Sequence, residues 1–391
     1  MLKFNALLTA PVNNRSGYGV YSNFIARALL TYEPFDLAII PQNFGSNIPS
    51  MHVTELDRQI QAKMPKAKIP MPHIHISCQL PHLQKPQGMI LSINYNAGFE
   101  TSFTHPNIME GLNKWSHCNV MSQFAKKVYE DSTPTPTTPI TVCNPGIDTD
   151  IFRPDAPTND RVNYELNKLS ESEAYLFVGQ LTHPNPMLDR KQMGLLIKLF
   201  CETFQGHANK PALILKTAGV NYGATDRYQI LSLIRAIKAP DVTVALLHGE
   251  LSDSEMAALY IHPKIVGHVT LTRGEGYGLP LLEASMSAKP IFAPDYSGHL
   301  DFLGDKFVKL PGQLDEIPVQ AVSEYYPAHS RWFNINPEAF KASLLNYNNG
   351  QRNSINKAAV ALAKRNHSLF DLKTTIAKQH AWFDQILTKA L

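Results

Sequence analysis

HVTLTRGEGYGLPLLEASMSAKPIFAP, residues His268 to Pro294, is the stretch on which the fold turns. HVTLT (268–272) reads as a strand, LPLLEASMSA (279–288) as a helix and PIFAP (290–294) as the next strand. Two strands joined through a helix predict a parallel βαβ unit. Gly274, Gly276 and Gly278 fill the turn from strand to helix, where they let the backbone bend tightly and come close to a ligand. Their amides open the helix, where N–H groups point outward and favour anions or hydroxyls. Pro280 suits a first helical turn. Glu275 falls in the turn and Glu283 in the helix, so two carboxylates are placed to grip two polyol parts of one ligand.

The same alternation extends in both directions. Upstream, AYLFVGQL (174–181), ALILKTA (212–218) and VTVALLHG (242–249) read as strands. MGLLIKLFCETF (193–204), YQILSLIRAIKA (228–239) and SDSEMAALYI (252–261) read as helices between them, the last with a Ser/Asp cap. The first part of the chain repeats the pattern. KFNALLTA, DLAIIP, MILSINYN and CNVMS are strands; YGVYSNFIARALLTY, NIMEGLNKWSH and QFAKKVYEDS are helices, the last capped by Ser122. DSTPTPTTP (131–139) and IFRPDAPTND (151–160) carry the breaker signals of a change of unit. The expectation is two doubly wound Rossmann-like α/β domains facing each other across a cleft, with ligands outside the carboxyl ends of the strands. The boundaries are 1–147 and 148–365, with a helix over 366–391 returning to the first domain.

Composition agrees with this reading. The chain has 391 residues, 44% hydrophobic and 18% charged, which is globular and long enough for two cores. Lys and Arg total 36 against 33 for Asp and Glu, a net charge of +3 that argues against a dedicated nucleic-acid scaffold. No apolar run reaches the length of a membrane span. MLKFNALLTAPVNN reads as a first buried strand rather than a signal peptide. Cysteines 78, 118, 143 and 201 form no CxxC pair and are expected as reduced thiols in a cytoplasmic protein. His73 and His75 alternate on one strand face without a third ligand nearby, so no metal site is expected.

GEGYG is not the dinucleotide fingerprint GxGxxG, and a nicotinamide-dependent oxidoreductase is disfavoured. Glu275 and Glu283, eight apart within GEGYGLPLLEA, resemble the E-x7-E signature of retaining glycosyltransferases of family 4. Further segments resemble that family in the same order. They are the glycine loop NNRSGYGVYS (13–22), NPGIDTDIFRPD (144–155), LFVGQL followed by Asp189-Arg190-Lys191 and GLLI, then SDSEMAALY, and PDYSGHLDFL after the central motif. A narrower likeness, through HPKIVGHVTLTRGEGYGLPLLEAS, SGHLDFL and SRWFNIN, is to bacteriophage-encoded members.

The resemblance implies the glycosyltransferase-B fold and transfer of a sugar from a nucleoside-diphosphate sugar to a hydroxyl, with retention. It implies catalytic roles for Glu275, Arg190 and Lys191, the two cations meeting the leaving phosphate in place of a metal. Donor binding is assigned to Gly17, Gly19, Gly276, Tyr277, Gly278, Leu279 and Glu283, the last for ribose hydroxyls. Lys216, at the end of ALILK, is a second phosphate candidate by position. Asn96, Glu100 and His105, after a predicted strand, are the acceptor candidates. No cofactor or metal is expected, and a monomer is the simpler expectation. Two acceptor classes compete: a carbohydrate, lipid-linked sugar or small molecule, and a hydroxymethylated pyrimidine in DNA. The basic segment with Arg58, Lys63, Lys66, Lys68 and Lys85 is where a phosphate backbone would bind. Alternatives on the same fold are a phosphorylase-like enzyme and a non-catalytic nucleotide-sugar-binding protein.

Overall fold

A computed structural model of the chain describes residues 3–14, 16–43, 53–67, 69, 71–218, 224–237, 239 and 241–391. The chain divides into two units. The first comprises residues 1–146, 323–330 and 370–391, and the second residues 147–322 and 331–369.

In chain order the first unit begins with β1 (Phe4–Ala10), α1 (Gly17–Leu30), β2 (Phe35–Pro41), α2 (Glu55–Ala62), β3 (Ile74–Cys78) and β4 (Leu91–Asn96). It continues with α3 (Pro106–Leu112), β5 (His117–Val120), α4 (Gln123–Glu130) and β6 (Ile140–Val142). The second unit follows with α5 (Asp160–Asn167), β7 (Ala174–Val178), α6 (Met193–Phe204), β8 (Ala212–Thr217), α7 (Ala224–Ala236), β9 (Val244–His248) and α8 (Asp253–Ile261). Then come β10 (Ile265–Val269), α9 (Leu279–Ser285), β11 (Ile291–Pro294), α10 (Leu300–Leu303) and β12 (Val308–Leu310). A hairpin of β13 (Gly312–Glu316) and β14 (Arg331–Ile335) leads to α11 (Pro337–Asn346) and α12 (Arg352–Leu369), and α13 (Leu372–Ala390) closes the first unit.

Each unit holds a six-stranded sheet, all parallel: β2-β1-β3-β4-β5-β6 in the first, β12-β11-β10-β7-β8-β9 in the second. The strand order reverses direction between β1 and β3 in one sheet and between β7 and β10 in the other. Such switch points leave a crevice outside the carboxyl ends of the strands, because successive crossover connections depart to opposite faces.

The second sheet is built as a doubly covered sheet should be, with near-continuous apolar strands. Tyr175, Phe200, Phe292 and Tyr347 pack edge-to-face at ring separations of 5.6–5.7 Å. The first sheet departs from that pattern. His75, Ser77, Ser92, Asn94 and Asn96 are all buried on β3 and β4. Several of these pin the connection that follows β3. His75 Nδ1 accepts from the Gln87 N–H, Ser92 Oγ from the Gly88 N–H, and Asn94 donates to the Gln79 carbonyl. The first histidine of HIH is also occupied, since His73 Nδ1 accepts from the Asn5 N–H. Among the described residues no cluster of three or more His, Cys, Asp or Glu could hold a metal. The four cysteines are free, and among the described residues no helix is long and apolar enough to cross a membrane.

α13 packs on α1 within the first unit. Phe383 is fully buried with its ring 5.3 Å from Tyr32 and 5.4 Å from Phe35, and the Tyr32 hydroxyl donates to Asp384 at 2.6 Å. The helical tail is interrupted at Phe370, where Asp371 caps α13 by accepting from the Lys373 and Thr374 N–H groups. Val360, on α12, is 56% exposed.

Several elements were not read from the sequence, α5, α2 and the β13–β14 hairpin among them. α5 begins at Asp160, the last residue of the IFRPDAPTND breaker stretch, where Asn159 serves as its N-cap, accepting from the Arg161 and Val162 N–H groups. α2 sits in the basic segment, where Arg58 is paired with Glu55 at 2.8 Å; Lys68 lies outside the described residues. The β13–β14 hairpin is antiparallel and outside both main sheets.

Candidate functional site

The central motif leaves β10 at the switch point of the second sheet. Gly278 adopts φ +94°, which a residue with a Cβ tolerates poorly, and ends the turn as the N-cap of α9. Gly298 is the second glycine this turn requires. A Cβ there would stand 2.2 Å from the Gly276 carbonyl oxygen, and its N–H donates to the Glu275 carbonyl at 2.9 Å. Ser297, itself at φ +82°, accepts from the Glu275 N–H at 3.0 Å. His299 is fully buried and its ring bridges Ser297 Oγ and the Pro294 carbonyl. The SGH turn therefore clamps the backbone of Glu275 from behind.

The carboxylate of Glu275 is 8% exposed and pairs with Lys191 Nζ, with Arg190 Nη1 at 3.5 Å. Burial opposes its ionisation, but Lys191 and Arg190 outweigh burial and hold its pKa down at about 2. The two cations are not equivalent. Arg190 Nη1 donates to the Gly274 carbonyl and to Thr272 Oγ1, and its backbone carbonyl accepts from the Arg273 N–H. It fastens the glycine turn as well as facing Glu275.

The loop carrying both cations is organised by Asp189, which is fully buried. Its Oδ1 accepts from the Thr182 N–H, the Thr182 hydroxyl and the Lys191 N–H. Its Oδ2 accepts from the Met193 N–H at 2.8 Å and so caps α6, whose formal N-cap Gln192 is left-handed and provides no side-chain cap. Arg273 is braced by the hairpin: its Nε donates to Asn334, its guanidinium lies 5.2 Å from the Trp332 ring, and its carbonyl accepts from the Phe333 N–H.

Glu283, on α9, is partly buried, and its Oε2 accepts from the Tyr260 hydroxyl at 2.8 Å. Burial pushes its pKa up to about 7, with Asp253 adding to the rise and the Tyr260 hydrogen bond and Lys216 opposing it. Lys216 is 4% exposed at the end of β8, donating to the Gly249 carbonyl at 2.5 Å; burial lowers its pKa to about 8. A hollow at the switch point is lined by Leu176 of β7, His268 of β10, Tyr260, Leu281, Lys191 and Glu275. His268 Nε2 meets Ser287 Oγ, which donates to the Ala284 carbonyl, so Nε2 carries the proton and Nδ1 is a buried acceptor without a partner among the described residues. The Tyr277 side chain is 2% exposed and packs on Phe302, so only its backbone is available to a ligand. Leu279 opens α9 and is partly buried.

In the first unit, Gly17 begins α1 just after β1, at that sheet's switch point, and a Cβ there would meet nothing within 4 Å. Gly19 differs: its Cβ would stand 1.8 Å from the Asn14 carbonyl oxygen, so packing alone demands glycine. Asn96 ends β4, with Oδ1 accepting from the Gly98 N–H and Nδ2 buried without a partner among the described residues. Glu100 is partly buried in the loop that follows. His105 is the N-cap of α3, its Nδ1 accepting from the Asn107 N–H at 3.2 Å. The structure thus brings Glu275, Arg190, Lys191, Lys216 and Glu283 together in one unit, and holds Gly17, Gly19, Asn96, Glu100 and His105 in the other.

No family model matches the sequence, and no curated protein sequence matches it. Solved structures do. A glycosyltransferase from Rickettsia africae superposes with a TM-score of 0.65 at 14% identity over 98% of this chain and 99% of that one. Sucrose-phosphate synthase from Thermosynechococcus elongatus gives 0.66 at 12% identity over 98% and 99%. HepE from Anabaena, solved with UDP and glucose, gives 0.64 at 10% identity over 98% and 100%. The fold is the glycosyltransferase-B fold. At these identities the likeness is one of fold, and function rests on the side chains that this chain carries on it.

Those side chains include several that motif reading passed over. Asp189 was visible as the first residue of the Asp189-Arg190-Lys191 run, yet its role depends on Thr182 and Met193. Tyr260 sits in the apolar pattern of α8 and reads as core. Ser297 and Gly298 stood in the matched PDYSGHLDFL block, without a signal that they hold Glu275.

Proposed function

We propose that this protein is a retaining glycosyltransferase that moves a sugar from a nucleoside-diphosphate sugar to a hydroxyl acceptor without a metal ion. The observation that carries the reading is the buried Lys191–Glu275 pair bordering a hollow at the carboxyl edge of the second sheet, with a second carboxylate and ammonium, Glu283 and Lys216, interacting electrostatically in the same unit. The fold supports it, since HepE was solved with UDP and glucose and with UDP-glucose on the same architecture.

In this reading the diphosphate lies against Lys191, with Arg190 behind it and Lys216 as a further cation. Fixed positive charge near the leaving phosphate stabilises the charge that develops as the anomeric C–O bond breaks. Glu275 stays ionised at every physiological pH, so it accepts hydrogen bonds from hydroxyls of the transferred sugar and does not serve as a proton donor. The acceptor hydroxyl attacks from the face that the diphosphate leaves, and its proton passes to the leaving phosphate oxygen. Glu283 takes ribose hydroxyls of the donor. Gly17 gives the first unit a backbone without a side chain beside the phosphates, and Asn96 and Glu100 serve the acceptor.

The test is a donor screen by thermal shift with UDP-, GDP-, ADP-, CMP- and dTDP-sugars, with and without EDTA. A ligand that binds only the folded state raises the melting temperature in step with its concentration over Kd. The expected result is a shift with one nucleotide family that survives EDTA and is lost in Glu283→Ala. No shift with any donor sinks the donor site. Product assays with the responding donor then compare polyol acceptors with hydroxymethylated duplex DNA.

A further inference from the structure

Tyr260 has no place in the mechanism above, yet its hydroxyl reaches the site. It stands in the last turn of α8, 1% exposed, and donates to Glu283 Oε2 at 2.8 Å. Its ring is fixed by His268 at 5.3 Å and Phe152 at 6.3 Å. Glu283 Oε1 has no hydrogen-bond partner among the described residues. One carboxylate oxygen is therefore held by a buried, rotationally locked phenol, and the other is open to a ligand.

We propose that Tyr260 is a positioning residue that sets both the direction and the charge of Glu283, so that Oε1 meets a hydroxyl of the bound nucleotide as an anion. The proposal rests on the donor-site reading given above. The direction follows from geometry, because a carboxylate tethered through Oε2 loses rotation about its terminal bond. The charge follows from chemistry, because a hydrogen bond donated to a carboxylate favours its ionised form. The other groups that act on Glu283 are Asp253 at the start of α8, which disfavours the anion, and Lys216 at the end of β8, which favours it. The Lys216 charge is itself modulated by Arg161, Glu250 and Glu255. Burial and Asp253 disfavour the anion, and the phenol and Lys216 together bring Glu283 back to near neutrality, so loss of the phenol leaves it protonated to a higher pH.

The experiment is calorimetric titration of UDP, GDP, ADP, CMP and dTDP into the full chain between about pH 5.5 and 8.5. It compares wild type, Tyr260→Phe, Glu283→Gln and the double variant. Phenylalanine preserves the ring and its packing, and a melting curve confirms the fold. For the nucleotide that binds wild type, affinity is expected to fall on the acid side. In Tyr260→Phe that fall moves to higher pH, lowering affinity at least about threefold at pH 7 and recovering most of it at pH 8.5. In the Glu283→Gln background the second substitution changes affinity less than about twofold. A loss in Tyr260→Phe that is equal at every pH, or that persists in the Glu283→Gln background, overturns the role of Tyr260 and leaves the donor site standing. If wild type binds none of these nucleotides, the donor-site reading falls and this role falls with it.

Discussion

Lys191 donates a hydrogen bond from Nζ to Oε1 of Glu275, and both side chains are more than four-fifths shielded from solvent. A buried pair of this kind is destabilising to break, because the remaining charge has lost its partner without regaining water. Glu275→Gln is therefore expected to lower unfolding free energy by about 3 kcal/mol at pH 7, read by urea denaturation. The pH dependence has a definite sign. The Glu275 pKa is depressed in the folded state, so its stabilising contribution is present above about 4.5 and is lost as pH falls towards about 2. The Gln variant should lack that acid-limb slope. Under the proposed activity, turnover of this variant should fall by about 100-fold or more.

Asp189 offers a separate test of how the cation loop is held. Its Oδ2 accepts from the Met193 N–H, while Oδ1 takes three donors from Thr182 and Lys191. An asparagine must point an NH2 group at one of these donors. Asp189→Asn should cost about 2 kcal/mol of stability and displace the Lys191 ammonium from Glu275. The measurement is a urea melt together with donor affinity. An unchanged affinity would show that the loop keeps its shape without the carboxylate.

The fold was legible because its signal is periodic. Strands such as ALILKTA and helices such as MGLLIKLFCETF differ in length and spacing, and their alternation admits few topologies. Ser122 and Ser252 were readable as helix caps because capping is local in sequence. Asn159 is also a cap, but its Pro- and Asp-rich surroundings carry the same letters as a turn. Glu275 and Glu283 were legible as a spacing, whereas their opposite charge behaviour was not. One faces Lys191 and the other is left with Tyr260, Lys216 and Asp253, and these partners lie 23 or more residues away in the chain.

Gly17 and Gly19 look alike in sequence and separate in structure. Gly19→Ala forces a methyl group to within 1.8 Å of the Asn14 carbonyl oxygen, so the turn after β1 must move. A destabilisation of about 2 kcal/mol or more is expected. Gly17→Ala meets nothing within 4 Å and replaces glycine at the head of a helix, so its melting temperature should hold or rise slightly. If Gly17 faces the diphosphate, donor affinity in this variant drops while stability does not. Equal donor affinity would remove Gly17 from the site.

The tail is a structural part of the first unit. Phe383 is fully buried against Tyr32 and Phe35, and Ile386 and Leu387 follow it into the same core. Phe383→Ala should cost about 3–5 kcal/mol, and Tyr32→Phe, which removes only the bond to Asp384, about 1 kcal/mol. Chemical denaturation of the two variants checks the ratio. Similar losses would mean that the phenol–carboxylate contact, rather than the aromatic cluster, anchors the helix.

Glu283 reverses the sign found for Glu275. Its folded pKa is raised from 4.5 to about 7, chiefly by burial, so the folded state binds a proton that the unfolded chain has already released. Stability of the unliganded protein should therefore decline as pH rises from about 4.5 to 7 on account of this residue, then level off. Glu283→Gln cannot ionise and should remove that decline, making the variant more stable than wild type at pH 8 by on the order of 2 kcal/mol. Urea melts at pH 5 and pH 8 provide the comparison. A variant that gains nothing at pH 8 would show that the Tyr260 hydroxyl and Lys216 already satisfy the carboxylate. Glu283 would then be an ordinary anion, and the site would show no titration near neutrality.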